Sequence, residues 1–300
     1  MLEERHLGLM RPRSIGLGGA WWHTKTEKET ITAIKRALEL GINFFDTYPG
    51  QNEERWGKAL GEIQREKIYL QAKVSSLVQS ESRSDHSAAA TRRSVERSLK
   101  ALKTDYFDSV LIHGYDHFSD LEQREDMLDP LAPGKALDIL VELKEQGIVR
   151  HIGIGARSAE VQRRAMETGQ IDIGLTYLEY NLLTQAAAQS LFPLAKKWGV
   201  GLILASPLGM GLLTGNEPDS ADEIRKMGEP PRARAMWLWC REREVNIRHL
   251  ALQYCLAAPV DSIVLPGQAS IEQVEDTYQG AIAKIPAEIW HAFKAEFDVL

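Results

Sequence analysis

Three residues of types that handle protons lie at the ends of successive apolar segments. Asp46 ends the segment 43–46, Lys73 lies near the end of 68–74, and His113 ends 109–113. If the segments are neighbouring strands, Lys73 and Asp46 form a buried pair. The lysine charge then lowers the pKa of a nearby phenol or bound hydroxyl, and His113 hydrogen-bonds a substrate oxygen. The alternative is a buried salt bridge beside a hydrogen-bonded histidine, but three such residues at three strand ends favour a site.

The elements that must position these residues alternate regularly. Short segments rich in Ile, Val, Leu and Phe lack strict alternation, as in strands buried on both faces. These segments are 14–17, 43–46, 68–74, 109–113, 150–154, 171–175, 201–205 and 262–265. Amphipathic patterns predict helices at 28–40, 53–60, 88–102, 135–146, 159–167, 185–198, 244–257 and 271–279. Eight alternating βα units favour a closed, parallel (β/α)8 TIM barrel over an open doubly wound sheet, as a single α/β domain over residues 1–300.

The overall composition excludes several functional classes. The net charge of −6 and the absence of a basic stripe argue against nucleic-acid binding. The two cysteines, Cys240 and Cys255, predict no disulfide framework and lack metal-ligand spacing. No signal peptide and no apolar segment of membrane-spanning length is visible. We therefore expect a cytoplasmic protein with a small-molecule substrate, while the oligomeric state stays open.

Five segments together resemble the aldo-keto reductase family. They are GINFFDTYPGQNEERWGKALGE, IYLQAKV, TDYFDSVLIHGYD, LASPLGMGLLTG and IVLPGQASIEQVED, which occur in the family's order and cover nearly the whole chain. The likeness is greatest to the L-galactose dehydrogenase group of sugar dehydrogenases, which shares Tyr177 and Ala205. The resemblance implies hydride transfer between a nicotinamide and a carbonyl or hydroxyl carbon.

The family's catalytic tetrad is only partly matched. It consists of Asp, Tyr, Lys and His, and Asp46, Lys73 and His113 match three of its members. The position of the family's tyrosine, five residues after the aspartate, is Gln51 here, in a shortened loop. The nearest phenol is Tyr48, two residues after Asp46. Either Tyr48 has taken the acid/base role, or proton transfer proceeds through His113, Lys73 or water.

The resemblance also implies a cofactor site without a metal. Its candidate residues are Tyr177, Ser206, Pro207, Leu208, Gly209, Gly267, Gln268, Ser270, Gln273 and Asp276. Gly267 and Gln273 lie where NADP-preferring relatives often have Lys and Arg, and Glu272 and Glu275 add negative charge. Since a 2′-phosphate requires cationic groups, NAD is favoured over NADP.

Several aromatic residues are candidates at the reacting centre. The family's carboxamide-binding Ser and Asn are Gly155 and Ala156 here, and its stacking tyrosine is Ala205. Tyr177 either replaces part of these contacts or is a core residue. The predicted substrate wall consists of Trp21, Trp22, Tyr115 and Trp237, unless the tryptophans only close the barrel end.

We therefore expect an NAD(P)-dependent oxidoreductase acting on a small sugar, polyol or related carbonyl compound. The missing tyrosine leaves two alternatives. One is a lyase or epimerase that uses bound NAD transiently, and the other is a non-catalytic nucleotide-binding sensor or partner subunit. Retention of Asp46, Lys73 and His113 argues against the non-catalytic alternative.

Overall fold

A computed structural model describes residues 1–20, 22–49, 53–61, 63–74, 85–113, 129–218 and 229–299. Eight parallel strands follow one another in chain order around one sheet. They are β1 (Leu17–Gly18), β2 (Phe44–Asp46), β3 (Tyr69–Val74), β4 (Phe107–His113), β5 (Val149–Gly155), β6 (Ile173–Tyr177), β7 (Gly201–Ala205) and β8 (Ser262–Leu265).

The last strand returns to the first and closes the barrel. Parallel bridges join Ile15 to Val264 and Gly18 to Gly267. The amide of Gly16 donates to the carbonyl of Val264 at 3.0 Å. The predicted (β/α)8 TIM barrel is therefore confirmed, and its carboxyl-terminal rim is where barrel enzymes place their sites.

Helices surround the strands. They are α1 (Glu27–Glu39), α2 (Glu53–Leu60), α3 (Ala88–Leu102), α4 (Ala136–Glu145), α5 (Ala159–Glu167), α6 (Ala186–Ser190), α7 (Phe192–Trp198), α8 (Pro230–Glu242), α9 (Ile247–Leu256), α10 (Ile271–Ile282) and α11 (Ala287–Phe297). The helix predicted at 185–198 is two helices, because Pro193 lacks the N–H that would continue the first one and is tolerated only in a first turn.

Helices α8 and α11 were not predicted from the sequence. The α8 segment begins with Pro230 and Pro231, and proline suits a first helical turn because its missing N–H would have no partner within the helix there. The two helices pack against each other through an edge-on contact of Trp239 and Phe293, whose ring centroids are 5.2 Å apart. Arg232 also donates to the carbonyl of Phe297 at 2.6 Å. These two contacts hold α8 against α11.

The barrel interior has its own apolar cluster, separate from the layer between strands and helices. Aliphatic side chains from several strands fill it, among them Leu111, Ile173, Ile203 and Ile263. These residues make the interior a packed core rather than a channel. Within the described ranges, no helix has the length and apolar character needed to cross a membrane.

Candidate active site

The strand ends bring Asp46 and Lys73 together, as predicted. The ammonium of Lys73 forms an ion pair with Oδ1 of Asp46 and also donates to the carbonyl of Thr47 at 3.0 Å. Asp46 is 5% exposed and Lys73 is 3% exposed, so the pair is shielded from solvent. In this environment the interaction between the charges is strong, and each requires the other as a partner.

Tyr48 and His113 lie beside this ion pair. The Tyr48 hydroxyl is 3.3 Å from Nδ1 of His113, and the two rings meet edge-on with centroids 5.2 Å apart. Nζ of Lys73 lies 5.3 Å from the centroid of the Tyr48 ring. The short spacing from Asp46 therefore places a phenol against both the cation and the imidazole. A cation beside a phenol stabilises the phenolate, so this arrangement can exchange a proton with a bound substrate.

Two polar residues that the sequence analysis overlooked continue the cluster into the barrel. Nε2 of Gln71 donates to Oδ1 of Asp46 at 2.7 Å, and the Ser109 hydroxyl donates to Oε1 of Gln71 at 3.0 Å. Both residues are fully buried. The signal was present in the sequence, because Gln71 precedes Lys73 by two residues and Ser109 precedes His113 by four. Alternation along a strand therefore puts them on the same faces as those site residues.

A cleft suited to a nucleotide lies at the ends of β7 and β8, on the same rim of the barrel. The cavity measures about 300 Å³. Its lining residues are Thr24, Ser206, Leu208, Met210, Gly211, Thr214, Gly267, Gln268, Ala269 and Gln273. Of the other predicted cofactor residues, Gly209 lines a separate cavity of about 160 Å³. Pro207 is buried.

The side chain of Gln268 shows that this cleft fits a polar ligand. It is 1% exposed, and neither its amide oxygen nor its amide nitrogen has a hydrogen-bond partner among the described residues. Buried amides are normally hydrogen-bonded, so a partner from a bound molecule is expected here. Ser206, on the same wall, has a φ of +58°, an uncommon conformation for a residue other than glycine. The hydroxyls and phosphates of a nicotinamide dinucleotide match these requirements.

The start of α10 forms one side of the cleft and carries no cation. Oγ of Ser270 accepts from the amide of Gln273 at 3.3 Å, and Oε1 of Gln273 accepts from the amide of Ala269 at 2.6 Å. Gln273 thereby caps the helix. The hydroxyl of Ser270 hydrogen-bonds Glu272 and lowers the pKa of that exposed carboxyl, so it stays ionised at neutral pH. The described lining of the cleft contains neither Lys nor Arg.

Asp276, predicted to bind the cofactor, does not line the cleft. Its carboxylate forms an ion pair with Arg248, and its other oxygen lies 3.5 Å from Nε2 of His249. Arg248 also donates to the carbonyl of Thr214, a cleft residue, at 2.6 Å. Asp276 therefore reaches the cleft only through Arg248, because the arginine lies between two segments and occupies the carboxylate.

Two residues of the predicted substrate wall, Trp22 and Trp237, are buried in the structure. Trp22 is fully buried, and its ring N–H donates to the carbonyl of Gly18 at 3.1 Å. Trp237 is on α8, is 6% exposed and donates to the carbonyl of Gly215 at 2.9 Å. Both rings are packed and have their ring N–H groups hydrogen-bonded, which favours the alternative that they close the barrel end. The other wall residues, Trp21 and Tyr115, lie outside the described residues, as does Gln51.

A glycine packs closely beside His113. Gly155 ends β5 next to His113, and a Cβ there would lie 3.2 Å from Cδ2 of the imidazole. Tyr177 is the register partner of Ala205 at the ends of β6 and β7, and both pack partly buried on the interior cluster. Tyr177 is thus on the correct rim for a ring contact, in place of a larger residue at position 205.

The described part of the chain offers no other reactive centre of the kinds considered from the sequence. No group of three or more His, Cys, Asp or Glu residues within it could hold a metal ion. Both cysteines are buried, and burial raises the pKa of the Cys240 thiol to about 12. Among the described residues, the proton-handling side chains gathered at the carboxyl rim of the barrel are Asp46, Tyr48, Lys73 and His113.

Comparison with known proteins agrees with this geometry. Residues 14–295 match the Aldo/keto reductase family. The L-galactose dehydrogenase of Arabidopsis thaliana is 30% identical over 294 residues, which cover 92% of this chain and 86% of that protein. The D-threo-aldose 1-dehydrogenase of Pseudomonas sp is 24% identical over 321 residues, covering 94% and 93% respectively. The holo form of an aldo-keto reductase from Bacillus halodurans matches with a TM-score of 0.77 at 26% identity, covering 99% of this chain and 96% of that one.

Proposed function

The chain belongs to the aldo/keto reductase family and is an NAD(P)-dependent oxidoreductase; we propose that it oxidises a small sugar or polyol, or reduces the corresponding carbonyl, with NAD as the preferred cofactor. The observation that carries this proposal is the contact of Tyr48 with His113 beside the buried Lys73–Asp46 pair. The names of the two similar sugar dehydrogenases support this substrate class, because each names a small polyhydroxylated sugar as the substrate.

The side chains divide the proton chemistry between them. Bound nicotinamide would supply the hydride donor or acceptor. Oη of Tyr48 takes the proton from the substrate hydroxyl during oxidation and returns it during reduction. The ammonium of Lys73 stabilises the phenolate that accepts the proton in oxidation and that is left after reduction. The imidazole of His113 orients the phenol through the 3.3 Å contact. Asp46 keeps the ammonium in place.

The preference for NAD rests on the charges around the cleft. A 2′-phosphate is recognised by guanidinium or ammonium groups, which the described lining lacks. At the start of α10, Gln273 has its amide oxygen committed to the helix cap, and Glu272 contributes a negative charge. Both features disfavour the extra phosphate and leave NAD unaffected.

Cofactor titration and a substrate screen test the proposal separately. We expect NADH to bind at least about tenfold more tightly than NADPH, as followed by nicotinamide fluorescence, which corresponds to about 1.4 kcal/mol. Equal or reversed affinities would contradict the cofactor preference.

In the substrate screen, aldoses and polyols with NAD should produce NADH absorbance. Turnover confined to non-sugar aldehydes would reject the substrate class, and conversion without net cofactor change would indicate a lyase or epimerase.

A further inference from the structure

A polar layer crosses the barrel interior directly beneath the catalytic cluster. Asp46, Gln71 and Ser109 are register partners on β2, β3 and β4. All three are buried, and hydrogen bonds link them in that order across the strands. We propose that Gln71, held by Ser109, is a positioning residue that fixes the Asp46–Lys73 pair for proton transfer at Tyr48. The proposal rests on the proposed function of these residues.

The donors and acceptors of this layer determine its direction. A carboxylate only accepts hydrogen bonds, so the amide nitrogen of Gln71 must face Asp46. The amide oxygen then faces Ser109, whose hydroxyl donates to it. Turning the amide over would put its oxygen against the Asp46 carboxylate and remove that bond, whereas the Ser109 hydroxyl could accept from the turned nitrogen. Asp46 therefore sets the orientation of the amide, and the bond from Ser109 helps to hold it there.

The contact with a neutral amide has a specific electrostatic effect. It satisfies the buried carboxylate without cancelling its charge, and hydrogen bonds to the charged form favour that form. Oδ1 of Asp46 also holds the Lys73 ammonium, which donates to the carbonyl of Thr47 at 3.0 Å. Without the amide, Asp46 loses one of the two side-chain contacts that fix this oxygen. The cation that stabilises the Tyr48 phenolate is then less well held.

The backbone of Gln71 also holds the segment that carries Tyr48. Its carbonyl accepts from the amide and from the hydroxyl of Thr47, both at 2.9 Å. The side chain of Gln71 therefore holds Asp46 and its backbone holds Thr47, the two residues that directly precede Tyr48. Because Tyr48 follows Asp46 by only two residues, its hydroxyl depends closely on this fixation.

Burying these polar side chains costs free energy, and a role in the site would explain why they are present in the barrel interior. The interior cluster on the neighbouring strands consists mainly of aliphatic residues such as Leu111, Ile173 and Ile203. Barrel interiors are usually filled in that way. An aliphatic side chain at position 71 would pack there without any need for Ser109. The amide is explained by its contact with Asp46.

The test replaces single members of the layer to remove or restore their polar groups. Gln71→Met removes both amide contacts, Ser109→Ala removes only the orienting hydroxyl, and Ser109→Thr restores a hydroxyl. Thr91→Val on α3 is the matched control, because Thr91 is fully buried and its hydroxyl has no partner among the described residues. Each variant is assayed with the sugar or polyol that the wild-type protein oxidises most rapidly, as a function of pH.

We expect Gln71→Met to lower kcat at least about tenfold with KM within about twofold, since the lost interaction matters in proton transfer. The acid limb of its oxidation profile should move to higher pH, because the phenolate is less stabilised. Ser109→Ala should move in the same direction by less. Ser109→Thr and Thr91→Val should match the wild-type profile. NADH affinity should be unchanged in all variants, because the cleft lies at β7 and β8.

A substrate-independent measurement keeps this proposal separate from the proposed function. The ionisation of Tyr48 is read from tyrosinate absorbance as the difference between each protein and its Tyr48→Phe counterpart. It should shift to higher pH in Gln71→Met and in Ser109→Ala, whether or not a substrate is found. An unshifted ionisation in both variants would overturn the positioning role. The positioning role would also be overturned if kcat of Gln71→Met fell equally at every pH and kcat of Thr91→Val fell by the same factor.

Discussion

At the scale of single residues, the phenol is the group whose position depends on the most neighbours. Tyr48 reaches His113 because it follows a buried aspartate by two residues, whereas the family's tyrosine follows by five. The shorter connection leaves less freedom to the hydroxyl. It also places the Tyr48 ring beside both Lys73 and His113.

The acid/base role of Tyr48 can be tested by removing only its hydroxyl. We expect Tyr48→Phe to lower kcat at least about a hundredfold, because a positioned general acid or base contributes about 10²–10⁴ in rate. NADH affinity should stay within about twofold, since the ring does not line the cleft. Activity is followed by NADH absorbance and affinity by fluorescence. Tyr69→Phe is the matched control, because it loses a phenolic hydroxyl on β3 away from the cluster. Activity within a few fold of wild type in Tyr48→Phe would assign the proton to His113, Lys73 or water.

Sequence reasoning identifies these residues to different degrees. Asp46, Lys73 and His113 could be found because strand ends follow from apolar segments, and parallel strand ends meet at one rim. Gln71 and Ser109 share faces with them, yet their contacts depend on register, which the segments do not reveal. The sequence could not decide between a substrate contact and a barrel closure for Trp22 and Trp237, because both kinds of tryptophan have the same sequence pattern, and the burial of both rings favours closure.

At the scale of elements, helix boundaries depend on local atoms that a periodic pattern cannot resolve. The pattern from 244 to 257 predicts one helix, whereas α9 begins only at Ile247. The side chain of Asn246 accepts from the amides of Arg248 and His249 at 3.0 and 3.3 Å, and this cap fixes the start. The start in turn sets the position of Arg248, which joins α9 to α10 and to the segment after β7.

That junction predicts a role for Arg248 in cofactor affinity. Arg248→Met removes the ion pair with Asp276 and the 2.6 Å bond to the carbonyl of Thr214, a residue of the cleft wall. We expect the dissociation constant of NADH to rise about three- to tenfold, because the wall is less preorganised for binding. The kcat at saturating cofactor should change less than about twofold. Fluorescence titration and steady-state kinetics measure the two quantities.

The control for this experiment is Arg234→Met. Arg234 forms an ion pair with Glu217 at 2.9 Å, but both side chains are more than half exposed, so the pair contributes little. The NADH affinity of Arg234→Met should equal that of the wild-type protein. An equal loss of affinity in both variants, or none in Arg248→Met, would show that the junction does not hold the cleft.

At the scale of the whole molecule, the two ends of the barrel have different tasks. The carboxyl ends of the strands carry the charged cluster and the cleft. At the amino ends, Asp108 near the start of β4 forms ion pairs with Arg65 at 2.7 Å and Arg150 at 3.2 Å. The ring of Tyr106 lies between the two guanidinium groups, 4.0 Å from one and 3.8 Å from the other. This network joins β3, β4 and β5 without touching the site.

The separation of the two ends predicts that Asp108→Asn changes stability and leaves catalysis intact. The side chain is buried and its Oδ2 also accepts from the amide of Leu70 at 2.9 Å, so the substitution leaves two arginines without their anion. We expect the free energy of unfolding to fall by about 2–4 kcal/mol, less than for a fully buried pair because Arg150 is half exposed. Denaturant unfolding measures this loss. The kcat per folded molecule, measured well below the unfolding transition, should stay within about twofold of wild type, because the catalytic rim is at the other end of the strands. If kcat of Asp108→Asn also fell while the protein was fully folded, strain would pass along β4 to His113. The two ends of the barrel would then not be independent.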